Sequence, residues 1–309
     1  MKADLMCYYC CMNKAEKLLD QFHVKASKKL EIMKKIFYSM GNGKMSDSAP
    51  VIMAKAMRIL EKEAGMIDIY DKVKAEYNQL LLSKETQILE SIRSSEDQLL
   101  TALQYAMIGN YIDFGAMDTV DSKKLEEMLK DFSSIEINAE ELRVFRKELE
   151  GAGELIYITD NAGEIVLDKL CIQILQELYP YVNIHVIVRG APALNDATIK
   201  DAKEIGLTDI VEVIPNGTDI PGTELDEIGD RAKEMIEKAD MIISKGQGNF
   251  ETLSGCNLNI YYVFLCKCDM FTSLFNMPRF KGIFANEKNI MSSVMKASFK
   301  NCPDELDLS

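Results

Sequence analysis

From Leu155 to Cys266 the chain repeats one unit: a short apolar run, a polar turn, then a helical segment. The runs are Leu155–Thr159, Ile184–Val188, Ile210–Ile214, Met241–Ser244 and Asn259–Cys266. They are predominantly apolar and do not alternate. A strand that is apolar on both faces has to be covered on both, the condition of a parallel sheet between two layers of helices. Glu164–Leu178, Asp196–Ile205, Glu224–Lys238 and Asn249–Leu253 supply the covering helices. The expected class is α/β: a three-layer αβα, Rossmann-like, mostly parallel sheet.

Before Gly151–Ala152–Gly153 the rhythm is helical throughout, with apolar residues three and four apart. Lys14–Leu19, Leu30–Tyr38, Pro50–Ala64, Ile69–Ile92, Ser94–Tyr111, Asp121–Lys130 and Ala139–Leu149 read as helices. Ser46–Asp47–Ser48–Ala49–Pro50 is a start signal, small polar caps followed by proline in the first turn. The chain therefore divides into a helical region over 1–150 and an α/β core over 151–309, expected to work as one functional unit.

Composition narrows the chemistry. Thirty-six Lys and Arg against 49 Asp and Glu leave a formal charge of −13. That argues against non-specific nucleic-acid binding and against anionic membranes, which reward basic surfaces. No run of 18 apolar residues is present, so no membrane span is expected. Eight cysteines without a secretory leader pattern suit a reducing, cytoplasmic compartment. The two histidines, His23 on a charged helix and His185 in a strand that reads as buried, lack the loop context of a general base. There is no G-x-S-x-G elbow, no Walker P-loop and no GxGxxG after the first strand.

Ligands of an open parallel sheet bind beyond the carboxyl ends of its strands, and here those ends are polar on four successive strands. Asp160 and Asn161 follow the first strand, and Asp196 lies on the crossover from the second. Their hard oxygens suit magnesium or manganese; Asp160 could equally cap the next helix. Lys245, in Ser244–Lys245–Gly246–Gln247–Gly248–Asn249, offers a cation beside a helix start for an anion, or else is a solvated turn lysine. Asn110 beside Gly109 reads first as a helix terminator. Cys7, Cys10, Cys266 and Cys268 could together hold a structural zinc or an iron–sulfur cluster, with buried thiols as the default.

Taken in order, Gly109–Asn110–Tyr111–Ile112–Asp113, Asp160–Asn161–Ala162–Gly163–Glu164, Arg189–Gly190–Ala191–Pro192 with Asn195–Asp196–Ala197–Thr198, Asp219–Ile220–Pro221–Gly222, and Lys245–Gly246–Gln247–Gly248–Asn249–Phe250–Glu251 resemble the DUF89 damage-control phosphatase family. Its metal-binding domain is also called ARMT1-like. The resemblance spans residues 4 to 290, and Cys7-x₂-Cys10 resembles the cysteine pair of the prokaryotic-type members. It implies a phosphatase that hydrolyses small phosphomonoesters, sugar phosphates or damaged phosphometabolites. It also implies a divalent cation (Mn²⁺, Mg²⁺, Co²⁺ or Ni²⁺) on Asp160, Asn161 and Asp196. Asp160 and Lys245 would be catalytic, Lys245 binding the phosphoryl group, with Asn110 and Glu164 beside metal or substrate. Eukaryotic relatives are linked to S-adenosylmethionine-dependent protein carboxyl methylation, the rival enzyme class. That chemistry wants an acid for the ribose at the second strand's end, where this chain has Arg189–Gly190. A non-catalytic metabolite-binding protein is the third reading and requires strand ends that fail to converge.

Overall fold

The computed structural model describes residues 1–113 and 120–290. Phe114 and Cys302 lie outside them. Helices α1 (Leu5–Gln21), α2 (Ala26–Gly41) and α3 (Ala49–Ala64) close on a small core of their own around Leu19, Ile32, Ile36 and Leu60. The start signal holds: Ser48 is the N-cap of α3, with Pro50 in its first turn. Gly65, at φ +68°, ends the helix in the left-handed conformation that glycine adopts without penalty.

The run Ile69–Ile92, expected as one helix, is two: α4 (Asp71–Leu82) and α5 (Glu85–Ser94). The Ser83 hydroxyl donates to Leu80 O at 2.6 Å, and Lys84 N turns back to Leu81 O. A serine bonding its own backbone competes with helix propagation. Helices α6 (Gln98–Gly109), α7 (Ser122–Lys130) and α8 (Ala139–Leu149) follow. The histidines differ from expectation in part: His185 is in a strand as expected but is not fully buried. His23 lies in the turn after α1, and His185 is half-exposed between Glu212 and Glu154.

The sheet contains β1 (Glu154–Ile158), β2 (Asn183–Val188), β3 (Glu212–Pro215), β4 (Met241–Lys245), β5 (Ile260–Leu265) and β6 (Gly282–Asn286), in the order β3-β2-β1-β4-β5-β6. The first five are parallel and β6 runs antiparallel to β5. Strand β6 and helix α13 (Asp269–Phe275) were not foreseen, because short apolar runs without a flanking helix carry little periodic signal. Helices α9 (Glu164–Leu178), α10 (Ile199–Glu204), α11 (Asp230–Lys238) and α12 (Gln247–Leu253) complete the layers.

Strand pleating divides the side chains. Leu155 and Tyr157 face a core shared with α4–α10, whereas Ile156 and Ile158 face α11–α13. Helix α6 is buried on every side and packs on α9. A Cβ on Gly109 would stand 3.1 Å from Glu164 Cα, so the missing side chain lets the end of α6 touch the start of α9. Strand order reverses between β1 and β4, which places a topological switch point at their carboxyl ends. Among the described residues no helix is long and apolar enough to cross a membrane.

Candidate active site

The switch point is where the polar strand ends meet. Asp160 and Asn161 leave β1, Glu164 opens α9, and Lys245 is the last residue of β4. Backbone bonds tie the loop after β1 to the loop after β2: Ala197 N donates to Asp160 O at 2.7 Å and Ala162 N to Asn195 O at 2.9 Å. Asn161 and Asp196 face each other in an isolated antiparallel bridge.

The alternatives left open by the sequence are now decided. Helix α9 is capped by Gly163, so Asp160 is not a helix cap. Lys245 is not a solvated turn residue; it is completely buried. Asn110 does both jobs. It ends α6, and its Nδ2 donates to Asp160 Oδ2 at 3.0 Å and to both Glu164 oxygens at 3.1 Å, while its Oδ1 accepts from Leu265 N at 3.0 Å.

Glu164 is the hub. Besides Asn110, it accepts from Asn161 Nδ2 at 2.8 Å and from Lys245 Nζ at 2.6 Å. Lys245 places its other two protons on Asp168 Oδ1 at 2.6 Å and Ala106 O at 2.8 Å. All three ammonium donors are therefore committed, where the sequence suggested a flexible anion-binding loop. Asp168, which also accepts from Tyr157 at 2.6 Å, was missed in the sequence. Its signal was present: an acid four residues after Glu164, on the same face of an otherwise apolar helix. Arg189, which the sequence offered only as part of a strand end better suited to an anionic ligand than to a ribose, is given no role there. It is buried, with Nε 2.6 Å from Asp196 Oδ2 and Nη2 3.7 Å from Asp160 Oδ1.

Electrostatics follow from burial. Asp160 is pushed well above the usual carboxylate range by desolvation and then by Asp196 and Glu164, with Lys267 opposing. Burial raises Asp196 to about 6 against the pull of Arg189. Asp168 also rises to about 6, chiefly by burial, with Lys245 opposing and the Glu164 charge adding to the rise. Burial would lower Lys245, but the two carboxylates outweigh it and hold the ammonium above its ordinary value.

This donor set fits a hard divalent cation. The hydrogen bonds to Asp160 and Asp196 fall on Oδ2 in each case. Asn161 donates to Asp160 and Glu164 through Nδ2, which leaves its carbonyl oxygen as the remaining polar atom. Crowded, buried carboxylates are the charge pattern that a cation relieves. Among the described residues no three His, Cys, Asp or Glu side chains are grouped to hold a metal; two aspartates and one amide make only two such groups.

Cys268 lies within electrostatic range of both Cys7 and Cys266, but among the described residues no three cysteines are grouped to hold a metal. Cys7 contacts Met270, Cys10 is exposed on α1, Cys266 is buried, and Cys268 meets Gln247. Burial pushes the Cys7 thiol up to about 11 and Cys266 to about 12, so both are protonated thiols in the metal-free protein. A cleft of about 490 Å³ opens between α3, the segment after it and the loops following β2 and β3. Arg58 spans it to Asp219, with Nε 2.7 Å from Oδ2. Asp160, Asn161, Asp196 and Lys245 do not line this cleft, although Ala191–Leu194, which does, belongs to the loop that carries Asp196.

Comparison with known proteins gives one family. The sequence model of the damage-control phosphatase ARMT1-like domain matches residues 4–281. An uncharacterised protein of Methanocaldococcus jannaschii is 34% identical over 224 residues, 68% of this chain and 71% of that protein. A damage-control phosphatase of Archaeoglobus fulgidus is 33% identical over 213 residues, 66% of this chain and 71% of its own. The crystal structure of a DUF89 family protein from Pyrococcus horikoshii superposes with a TM-score of 0.78 at 26% identity, covering 93% of this chain and 99% of that one.

Proposed function

This chain belongs to the damage-control phosphatase ARMT1-like family, and from that premise we propose that it is a divalent-metal-dependent phosphatase of small phosphomonoesters, sugar phosphates or damaged phosphometabolites. The observation that carries the reading is the convergence of Asp160, Asn161, Glu164 and Asp196 with buried Lys245 and Arg189 at the switch point. Asp160, Asn161 and Asp196 would hold the cation, Mn²⁺, Mg²⁺, Co²⁺ or Ni²⁺. When bound, such an ion supplies Lewis-acid polarisation of a phosphoryl oxygen and lowers the pKa of a water.

The chain's own residues do the rest. Hydrolysis bonds a water oxygen to phosphorus, breaks the bond from phosphorus to the ester oxygen, and delivers the water's proton to the departing alcohol. Asp160 orients the nucleophile, its other oxygen pinned by Asn110 and Asn161. Glu164 locks both amides and Lys245 into one geometry, so the site needs little reorganisation during reaction. Lys245 contributes its positive charge to the phosphoryl region; direct donation requires exchanging one of its three present bonds. The helical half borders the cleft over the loop after β2, which supports a role for it in choosing the leaving group. At the end of β2 stands Arg189 engaged with Asp196, which favours a phosphate ester over the ribose of S-adenosylmethionine.

Purified protein is expected to release phosphate from small sugar phosphates with added manganese, magnesium, cobalt or nickel, and to stop in chelator. No turnover across a broad phosphometabolite panel under those conditions would sink the proposal. Micromolar S-adenosylmethionine binding with labelled methyl transfer would replace it.

A further inference from the structure

Arg189 is placed more rigidly than its surroundings require for an ion pair. Its Nε donates to Asp196 Oδ2 at 2.6 Å, and Nη1 donates to Thr223 Oγ1 at 3.3 Å. Thr223 in turn donates to Asn249 Oδ1 at 2.8 Å, and Asn249 Nδ2 is fixed on Thr159 O at 2.9 Å and Lys245 O at 2.7 Å. The backbone N of Arg189 bonds Ala197 O. Rotation of the guanidinium is thus set from the loops after β1, β2 and β3 and from α12.

What this arrangement leaves over is Nη2. The side chain is 1% exposed, yet Nη2 is a buried nitrogen without a hydrogen-bond partner. It stands 3.7 Å from Asp160 Oδ1, beyond hydrogen-bond reach. Buried guanidinium donors are expected to find acceptors, and the geometry of this group suits phosphate oxygens. Lys245, by contrast, has spent all three of its protons.

We propose that Arg189 is a catalytic residue, its Nη2 holding a non-bridging oxygen of the phosphoryl group, with Thr223 and Asn249 as the positioning residues that aim it. This rests on the phosphatase reading above. Asp196 on Nε and Asp160 beside Nη2 both stand along one edge of the guanidinium; a cation held by these two aspartates would bring its phosphoryl ligand to that same edge.

The test is calorimetric titration of the Mn²⁺-loaded protein with inorganic phosphate, alongside Mn²⁺ titration of the metal-free protein. Arg189→Lys is expected to weaken phosphate binding at least ~10-fold, the scale of a charge-assisted hydrogen bond, while Mn²⁺ affinity stays within about threefold. Thr223→Val, which frees Nη1 without touching a charge, is expected to weaken phosphate binding about threefold or more with Mn²⁺ affinity and circular dichroism unchanged. Wild-type turnover with undiminished phosphate affinity in both variants overturns the role of Arg189 and leaves the phosphatase reading standing. Loss of Mn²⁺ affinity with phosphate affinity retained also overturns it, reducing Arg189 to a holder of Asp196. A wild-type protein that neither turns over nor binds phosphate overturns both. Should Arg189→Lys fail to fold, Thr223→Val decides alone: unchanged phosphate affinity refutes the proposal.

Discussion

Gly246 lies directly against the Asp160 carboxylate, so close that a Cβ at this glycine would collide with both carboxylate oxygens. Its φ of +79° and ψ of 160° fall in a region that only glycine populates comfortably. The turn from β4 into α12 can therefore touch the site because it carries no side chain. Gly246→Ala is expected to cost at least about 2 kcal/mol of stability from backbone strain alone and to displace Asp160. Thermal unfolding and Mn²⁺ titration check both; a variant with wild-type values in each refutes the steric account.

Asp160→Asn removes one of the two carboxylates assigned to the cation while preserving shape. Under the proposed chemistry the rate should fall at least ~10²-fold, the scale of a missing catalytic group, with the fold intact by circular dichroism. Retention of more than a tenth of the activity would remove Asp160 from the mechanism.

Asn110 joins the helical half to the sheet through Asp160, Glu164 and the Leu265 amide. Asn110→Ala leaves the Leu265 N–H buried without its acceptor, which is expected to cost about 1–3 kcal/mol. Activity should drop as well, because Glu164 loses a donor. Denaturant unfolding measures the first effect and steady-state kinetics the second. Lost activity at unchanged stability would make Asn110 a substrate contact and nothing more.

Asp168 gives a pH signature in the metal-free protein. Its pKa of about 6 lies above the ordinary value, so its contribution is fully present below about pH 4 and is lost as pH rises through 6. Relative to Asp168→Asn, the wild type should lose stability as pH rises from 4 to 7. Melting curves of both proteins across this range provide the comparison. A stability difference that stays constant with pH contradicts the burial argument.

The architecture was legible in the sequence because it rests on short-range patterns. Apolar runs of four to eight residues separated by helical segments specified the parallel core, and Ser48 with Pro50 specified where α3 begins. The break at Ser83, whose hydroxyl bonds Leu80 O, shows the limit of periodicity: the apolar stripe continues across a point where the helix does not. The extra antiparallel strand β6 escaped because its identity comes from its partner β5, not from its own five residues.

Within the site, the sequence by itself determined which polar residues stand at the ends of β1, β2 and β4, since strand ends follow from local pattern and loop chemistry. It did not determine what those residues touch. Lys245 reads locally as a turn lysine beside two glycines, yet its partners Ala106, Glu164 and Asp168 lie 139, 81 and 77 residues away. Asn110 finds the Leu265 amide 155 residues along the chain. Only tertiary structure decides such pairings, because a buried charge takes its partners from whatever elements the folded core closes around it, and desolvation then forces each of them to be used.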